Sequence, residues 1–367
     1  MVKSVVFAGN GQAPLYRDAL GYWNLGAQAA AGDWLLLDPA AAARLPGYPY
    51  LLAFCQLLFG DHALVAAVTL QQFFIAACAG IVAWVGWRVT GSTVAVPVAL
   101  GLSLVCVSRH VIAAYLWSGS LLALMLTLHV ASLVSWLRKP AAGWAFALGA
   151  TLGLSTLTRP VAQFAFVPVL VTMGFHLRAF SGREPLSRFA GHAAIVLAAM
   201  MLVLGPWLVR NQVAFGEAFL TRFQGRTLWL SSFDPMGAGL ALPDEAAVNE
   251  VLAAIGKDGR PRDMWGVYGR LRSTGRTEVQ ADDMMARAAR SAIRSFPVEF
   301  GSSVVQRFLR FWTVPYRVPL WRYNDPFARS EGTYLDQRPA HSRLLRDLSD
   351  PLALFWRPRP AASAAVG

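Results

Sequence analysis

Carboxylates are scarcest in this sequence where a soluble protein would need them most. From His62 to Val209 the only acidic residue is Glu184. Over the whole chain the charged residues make up 15%, against about a quarter in ordinary soluble domains. A wholly water-exposed fold is therefore excluded. Cysteine is nearly absent too: Cys55, Cys78 and Cys106 all lie in apolar sequence without CxxC spacing. They read as small buried hydrophobes and exclude a disulfide framework or a thiol-ligated zinc site. The six histidines are scattered, with no HExxH pattern, so no cofactor is expected, and a divalent metal is left open without support from the sequence. His110, His129 and His176 sit in or beside apolar helices and read as structural or interfacial. No basic run is interleaved with aromatics, so nucleic acid is not an expected partner despite a net charge of +12 and a pI of about 10.2. Lysine and arginine instead read as residues of the membrane surface, where they meet anionic head groups. Met1–Asn10 is too short for a signal peptide or a spanning helix.

What is present is apolar: 55% hydrophobic residues and a mean hydropathy of +0.42. Apolar segments cover His62–Trp87, Ser92–Val107 (extending toward Leu116), Ser118–Leu137, Gly143–Leu157, Val161–Phe175 and Ala190–Val209. The expected fold is an all-α polytopic membrane bundle of about six spanning helices. Tyr50–Phe59 falls short of the roughly 20 residues a span needs and reads as interfacial or re-entrant. Arg159-Pro160 breaks the fourth segment from the fifth. Arg88, Arg138, Lys139, Arg178, Arg183 and Arg188 fall in one set of joints, and only Arg109 and Arg159 in the alternate set. The richer set is predicted to be cytoplasmic. This leaves an extracytoplasmic N-terminal loop (residues 1–61), the transmembrane domain (62–209) and a mainly helical extracytoplasmic C-terminal region (210–367). Within the last, Ala241–Gly256 reads as a helix capped by Asp244, and Met284–Phe296 has apolar residues at helical spacing. Val304–Trp312 suits either a helix on the membrane surface or one packed on the region's own core.

Chemistry at the outer edge has few carboxylates to draw on: Asp18, Asp33, Asp38, Asp61, or an acid folded back from the C-terminal third. Asp18 begins an Asp-x-x-x-Tyr pattern ending at Tyr22. It can serve as a general base if it reaches the proton it removes, and its local sequence equally suits the N-cap of a helix over Ala19–Ala31. Arg159, at the outer end of two helices, can grip a phosphate with a fork of donors or snorkel to head groups. Arg210 and Asn211 are expected to emerge at the outer surface, with Trp207 as an interface anchor. Gln71 and Gln72, inside the first apolar segment, read as interhelical packing.

Four stretches in order carry a resemblance: Asp18…Tyr22; Leu45-Pro-Gly-Tyr-Pro-Tyr-Leu-Leu-Ala53 with Leu58-Phe-Gly60; Gly153-Leu-Ser-Thr-Leu-Thr-Arg-Pro160; and Pro206-Trp-Leu-Val-Arg-Asn-Gln-Val-Ala-Phe-Gly216. Together they resemble the bacterial membrane glycosyltransferases of the GT-C class, such as protein O-mannosyltransferases, lipid A aminoarabinose transferases and Rgt-type galacturonosyltransferases. The resemblance covers Leu15–Gly216 and, loosely, Phe219–Trp312. It implies a multi-pass enzyme of the inner or plasma membrane that moves a sugar from a polyprenyl-phosphate donor to an extracytoplasmic acceptor. It implies Asp18 as the catalytic carboxylate and Tyr22, Tyr48, Arg159, Arg210 and Asn211 as substrate contacts. Two positions depart from the pattern: Ala19 stands where many relatives have a second acid, and Ser118-Gly119 where many have Thr-Glu. Relatives also carry a helix before the aspartate loop and further helices after the outer region, so the chain is expected to be shortened at both ends. Competing expectations are a lipid-linked glycan carrier or flippase and a non-catalytic truncated family member.

Overall fold

The computed structural model describes residues 18–37, 39–105, 113, 115–180, 185–234, 237–256 and 263–313. All belong to one compact unit, Met1–Tyr316. Among them every regular element is helical. Eight helices form the first part: α1 (Asp18–Ala30), α2 (Gly47–Phe59), α3 (Ala63–Thr90), α4 (Ala95–Val105), α5 (Gly119–Arg138), α6 (Ala142–Thr158), α7 (Phe166–Phe180) and α8 (Pro185–Phe215). Each apolar segment of the sequence has become a helix. Four helical stretches are long and apolar enough to cross a membrane: Gly47–Thr90, Gly119–Arg138, Pro160–Ala179 and Leu186–Phe215. The 17-residue α6 is only about 25 Å long at 1.5 Å per residue, and the described part of the second apolar segment, α4, is shorter still. Phe73, Leu102, Phe175, Leu202 and Val213 all point outward and exposed, as the rim of a bundle bathed in lipid does.

Gly47–Thr90 is not one rod. Tyr48 Oη donates to Gln71 Oε1 at 2.8 Å, across 23 residues that a straight helix would spread over roughly 35 Å. The fold-back occurs at Gly60, whose φ of +51° is a backbone state that glycine enters without a Cβ penalty. The short helix expected over Tyr50–Phe59 is thus present, begun three residues earlier. Within the bundle, α6 crosses α8 at backbone contact. A Cβ at Gly149 would lie 2.1 Å from the Val196 carbonyl oxygen, and one at Gly153 would lie 2.8 Å from Val203 Cβ. Gly149-x-x-x-Gly153 thus lets two backbones touch, the device lipid-embedded helices use where apolar burial gives no drive.

The bundle has two chemically distinct ends. At one, Trp136 of α5 stands between the rings of His176 of α7 and His192 of α8, 5.6 and 5.5 Å away, next to Arg138. At the other, the start of α5 meets the end of α6, with α1 and α2 laid against them.

Four helices build a separate core after α8: α9 (Gln224–Phe233), α10 (Ala246–Ile255), α11 (Met264–Ser273) and α12 (Glu278–Ser295). They enclose Trp229, Phe233, Val248, Val251, Leu271 and Met285. α12 starts earlier than its apolar spacing suggests, because Thr277 and Gln280 form a reciprocal capping box that satisfies two orphan N–H groups. α10 starts at Ala246 rather than Ala241, and Asp244 is not its cap: Asp244 instead accepts from Asn249 Nδ2 at 2.6 Å. In α13 (Pro297–Thr313), Phe300 packs on the core whereas Val304, Val305, Phe308 and Leu309 are exposed.

The end of the bundle also corrects the sequence reading. α8 continues to Phe215 through Pro206, so Arg210 and Asn211 lie within a helix and are buried, at 6% and 0% exposure. Trp207 is buried as well, its Nε1 donating to the Leu220 carbonyl at 2.9 Å. The polar ends of these side chains find backbone partners in the neighbouring loops, and that takes them out of the interface.

Candidate functional site

Asp18, Tyr22, Trp117 and Arg159 line one open cleft of about 190 Å³ at the α1 end of the bundle. Three of the four were candidates from sequence. Asp18 is the first residue of α1, where a carboxylate is favoured by the helix dipole. Its side chain is 60% exposed, and its Oδ1 accepts from Arg44 Nη2 at 3.2 Å. Among the described residues no backbone N–H donates to it, so it is not engaged as a cap.

The neighbours hold one another in a chain. The Arg44 guanidinium lies over the Tyr22 ring at 4.7 Å. Tyr22 meets Tyr48 edge to face at 5.2 Å, and Tyr48 bonds to Gln71. Gln71 is wholly buried, and all four of its amide hydrogen bonds are made. Its Oε1 accepts from Tyr48 and from Ser120 Oγ at 3.0 Å. Its Nε2 donates to the carbonyls of Ala113 at 3.2 Å and Tyr115 at 3.0 Å. One glutamine therefore joins α2, α3, α5 and the segment leading into α5, a larger role than the packing contact its sequence suggested. That segment presents Trp117, stacked on Tyr115 at 5.4 Å, and Ser118, which accepts from Arg159 Nε at 3.0 Å. The terminal nitrogens of Arg159 have no acidic partner among the described residues and remain open to a ligand.

Arg44 was missed as a site residue. Its one signal is that no other lysine or arginine occurs between Arg17 and Arg88. Its loop is fixed from the loop between α8 and α9: Thr221 Oγ1 donates to the Ala43 carbonyl at 2.8 Å and the Arg222 N–H to the Ala42 carbonyl at 2.7 Å.

Tyr48 lies behind Tyr22, buried, and supports the cleft without lining it. Arg210 and Asn211 lie elsewhere. Arg210 Nε donates to the Leu35 carbonyl and Nη1 to Asn211 Oδ1, both at 2.6 Å, and the guanidinium stacks on Trp207 at 4.6 Å. Asn211 Nδ2 donates to the Phe219 carbonyl at 2.5 Å. These contacts tie α8 to the loops on either side. Of the other acids, Asp33 accepts from the Leu37 N–H at 2.9 Å, Asp61 is exposed beside the Gly60 bend, and Asp38 is outside the described residues. No three His, Cys, Asp or Glu side chains gather at metal-ligand spacing among the described residues.

The core built by α9–α12 holds a second arginine–carboxylate cluster. Arg226, almost fully buried, pairs with Glu278 at 2.8 Å and Asp282 at 3.3 Å. Asp282 also accepts the N–H groups of Gly225 at 2.9 Å and Arg226 at 3.1 Å. Tyr268 donates to Glu278. Burial, and then the hydrogen bond and charge of Glu278, push the Tyr268 phenol above its ordinary range.

Comparison with protein-family models, curated proteins and solved structures returns no match. Fold and site define a helical protein with four helical stretches long and apolar enough to cross a membrane and an open polar cleft at one end of its bundle.

Proposed function

We propose that the protein is a membrane glycosyltransferase that moves a sugar from a polyprenyl-phosphate donor to an acceptor hydroxyl outside the cytoplasm. The observation that carries this reading is the meeting of Asp18, Tyr22 and Arg159 in one cleft, although Arg159 is more than 130 residues from the other two. An exposed carboxylate and a guanidinium with open donors lining one cleft are the groups such a transfer needs. Asp18 takes the acceptor's hydroxyl proton as the acceptor oxygen bonds to the anomeric carbon. The bond from that carbon to the phosphate oxygen breaks, and Arg159 stabilises the charge growing on the leaving polyprenyl phosphate. The bundle takes six passes in this reading, α4 and α6 included, and the cleft opens at the extracytoplasmic face of the inner or plasma membrane. The segregation of Arg88, Arg138, Lys139 and Arg178 away from the Asp18 end supports that orientation.

The test is transfer by the purified full chain from labelled polyprenyl-phosphate sugars to envelope lipid, glycan and protein acceptors. Release of polyprenyl phosphate coupled to labelled acceptor is expected. Translocation of the labelled lipid across vesicles without any transfer would favour a carrier instead.

A further inference from the structure

We infer that Trp117 is the platform on which the donor's sugar ring stacks, which makes it the residue that distinguishes a sugar-bearing lipid from the bare lipid phosphate. The inference rests on the donor reading above and assigns a part of the cleft that the reading leaves unused. The indole lines the cleft with Asp18, Tyr22 and Arg159 and is 37% exposed, so it is partly open to a ligand. It is also held in place. One face stacks on Tyr115 at 5.4 Å and 25°. The Trp117 N–H donates to the Tyr115 carbonyl at 2.8 Å, and that carbonyl also accepts from Gln71. The next residue, Ser118, is bonded to Arg159. A ligand therefore meets a ring whose position is set before binding, which lowers the ordering cost of the contact.

The chemistry of the cleft selects a pyranose. An aromatic face carries negative quadrupole density and attracts the weakly positive C–H face of a sugar ring. The hydroxyl rim of the same ring would find an acceptor in Asp18 and donors in Arg159. The cleft, at about 190 Å³, is below the roughly 300–1,000 Å³ of drug-sized pockets, which suits one ring rather than an oligosaccharide. The competing use of an exposed tryptophan at this level is as a head-group anchor. An anchor would not separate the two lipids.

The experiment measures binding to the full chain in lipid nanodiscs. The probes are undecaprenyl phosphate and the same lipid bearing mannose, galactose, galacturonic acid or 4-amino-4-deoxyarabinose. Wild type should bind one sugar-lipid at least about tenfold more tightly than the bare lipid. Trp117→Leu should shrink that advantage to about threefold or less while leaving bare-lipid affinity unchanged, and Trp117→Phe should keep most of it. Trp117→Met, whose unbranched side chain fills irregular gaps, replaces the leucine variant if that fails to insert. An advantage that survives loss of the ring, or a loss shared equally by both lipids, would overturn the platform assignment while leaving the donor reading in place. Wild-type protein that shows no advantage for any sugar-lipid would instead remove the donor reading, and the platform with it.

Discussion

Two arginine–carboxylate groups in this chain have opposite surroundings. Arg226 with Glu278 and Asp282 is sealed: the three side chains are 3%, 7% and 3% exposed, and Asp282 also accepts two backbone N–H groups. Arg44 with Asp18 is open: 22% and 60% exposed, with a single contact at 3.2 Å and a cleft in front of the carboxylate. A saturated buried cluster has no valence left for a ligand, and its loss is felt by the fold. An open pair adds little to stability but can exchange partners. The comparison separates a structural cluster from a functional one by hydrogen-bond capacity rather than by residue type.

The largest effect should come from the sealed group. Asp282→Ala leaves Arg226 buried with half its compensation and frees two backbone donors. A loss of about 3–5 kcal/mol is expected, seen as early thermal unfolding and rapid proteolysis within Gln224–Ser295. If stability is unchanged, the two clusters do not differ as claimed. Next is Arg159→Lys, which keeps charge but loses the planar fork. Binding of a polyprenyl-phosphate sugar should weaken by about tenfold with the unfolding temperature unmoved. Arg44→Gln should cost less than about 1 kcal/mol. Raising salt should erase the difference from wild type, read as unfolding midpoints at low and high ionic strength. The smallest effect belongs to Tyr268. Its phenol is held above the ordinary value, so its contribution is fully present below the unfolded value of about 10 and is lost as pH rises beyond that. Tyr268→Phe should remove this alkaline component, measured as the slope of stability against pH above about 10.

The helices were legible because apolar runs in a chain this poor in charge have few alternatives. Lengths were less so. α8 outruns its apolar segment because Trp207, Arg210 and Asn211 are satisfied by Leu220, Leu35 and Phe219, partners that no local pattern reveals. Asp18, Tyr22 and Arg159 could be chosen from order and spacing. Arg44 and Trp117 could not, since their roles depend on contacts that only the folded chain makes. The same holds for Gln71, whose four bonds come from three other parts of the bundle. The close packing of Gly149 and Gly153 on α8 went unread in the sequence, because it depends on which helix lies opposite.

The central claim is that Asp18 does chemistry and not capping, and Asp18→Asn tests it most directly. Asparagine keeps the shape and the capping ability but removes the base. Turnover of a polyprenyl-phosphate sugar by the full chain should fall by about two orders of magnitude or more, with insertion and unfolding temperature as in wild type. Wild-type turnover in Asp18→Asn would contradict the account.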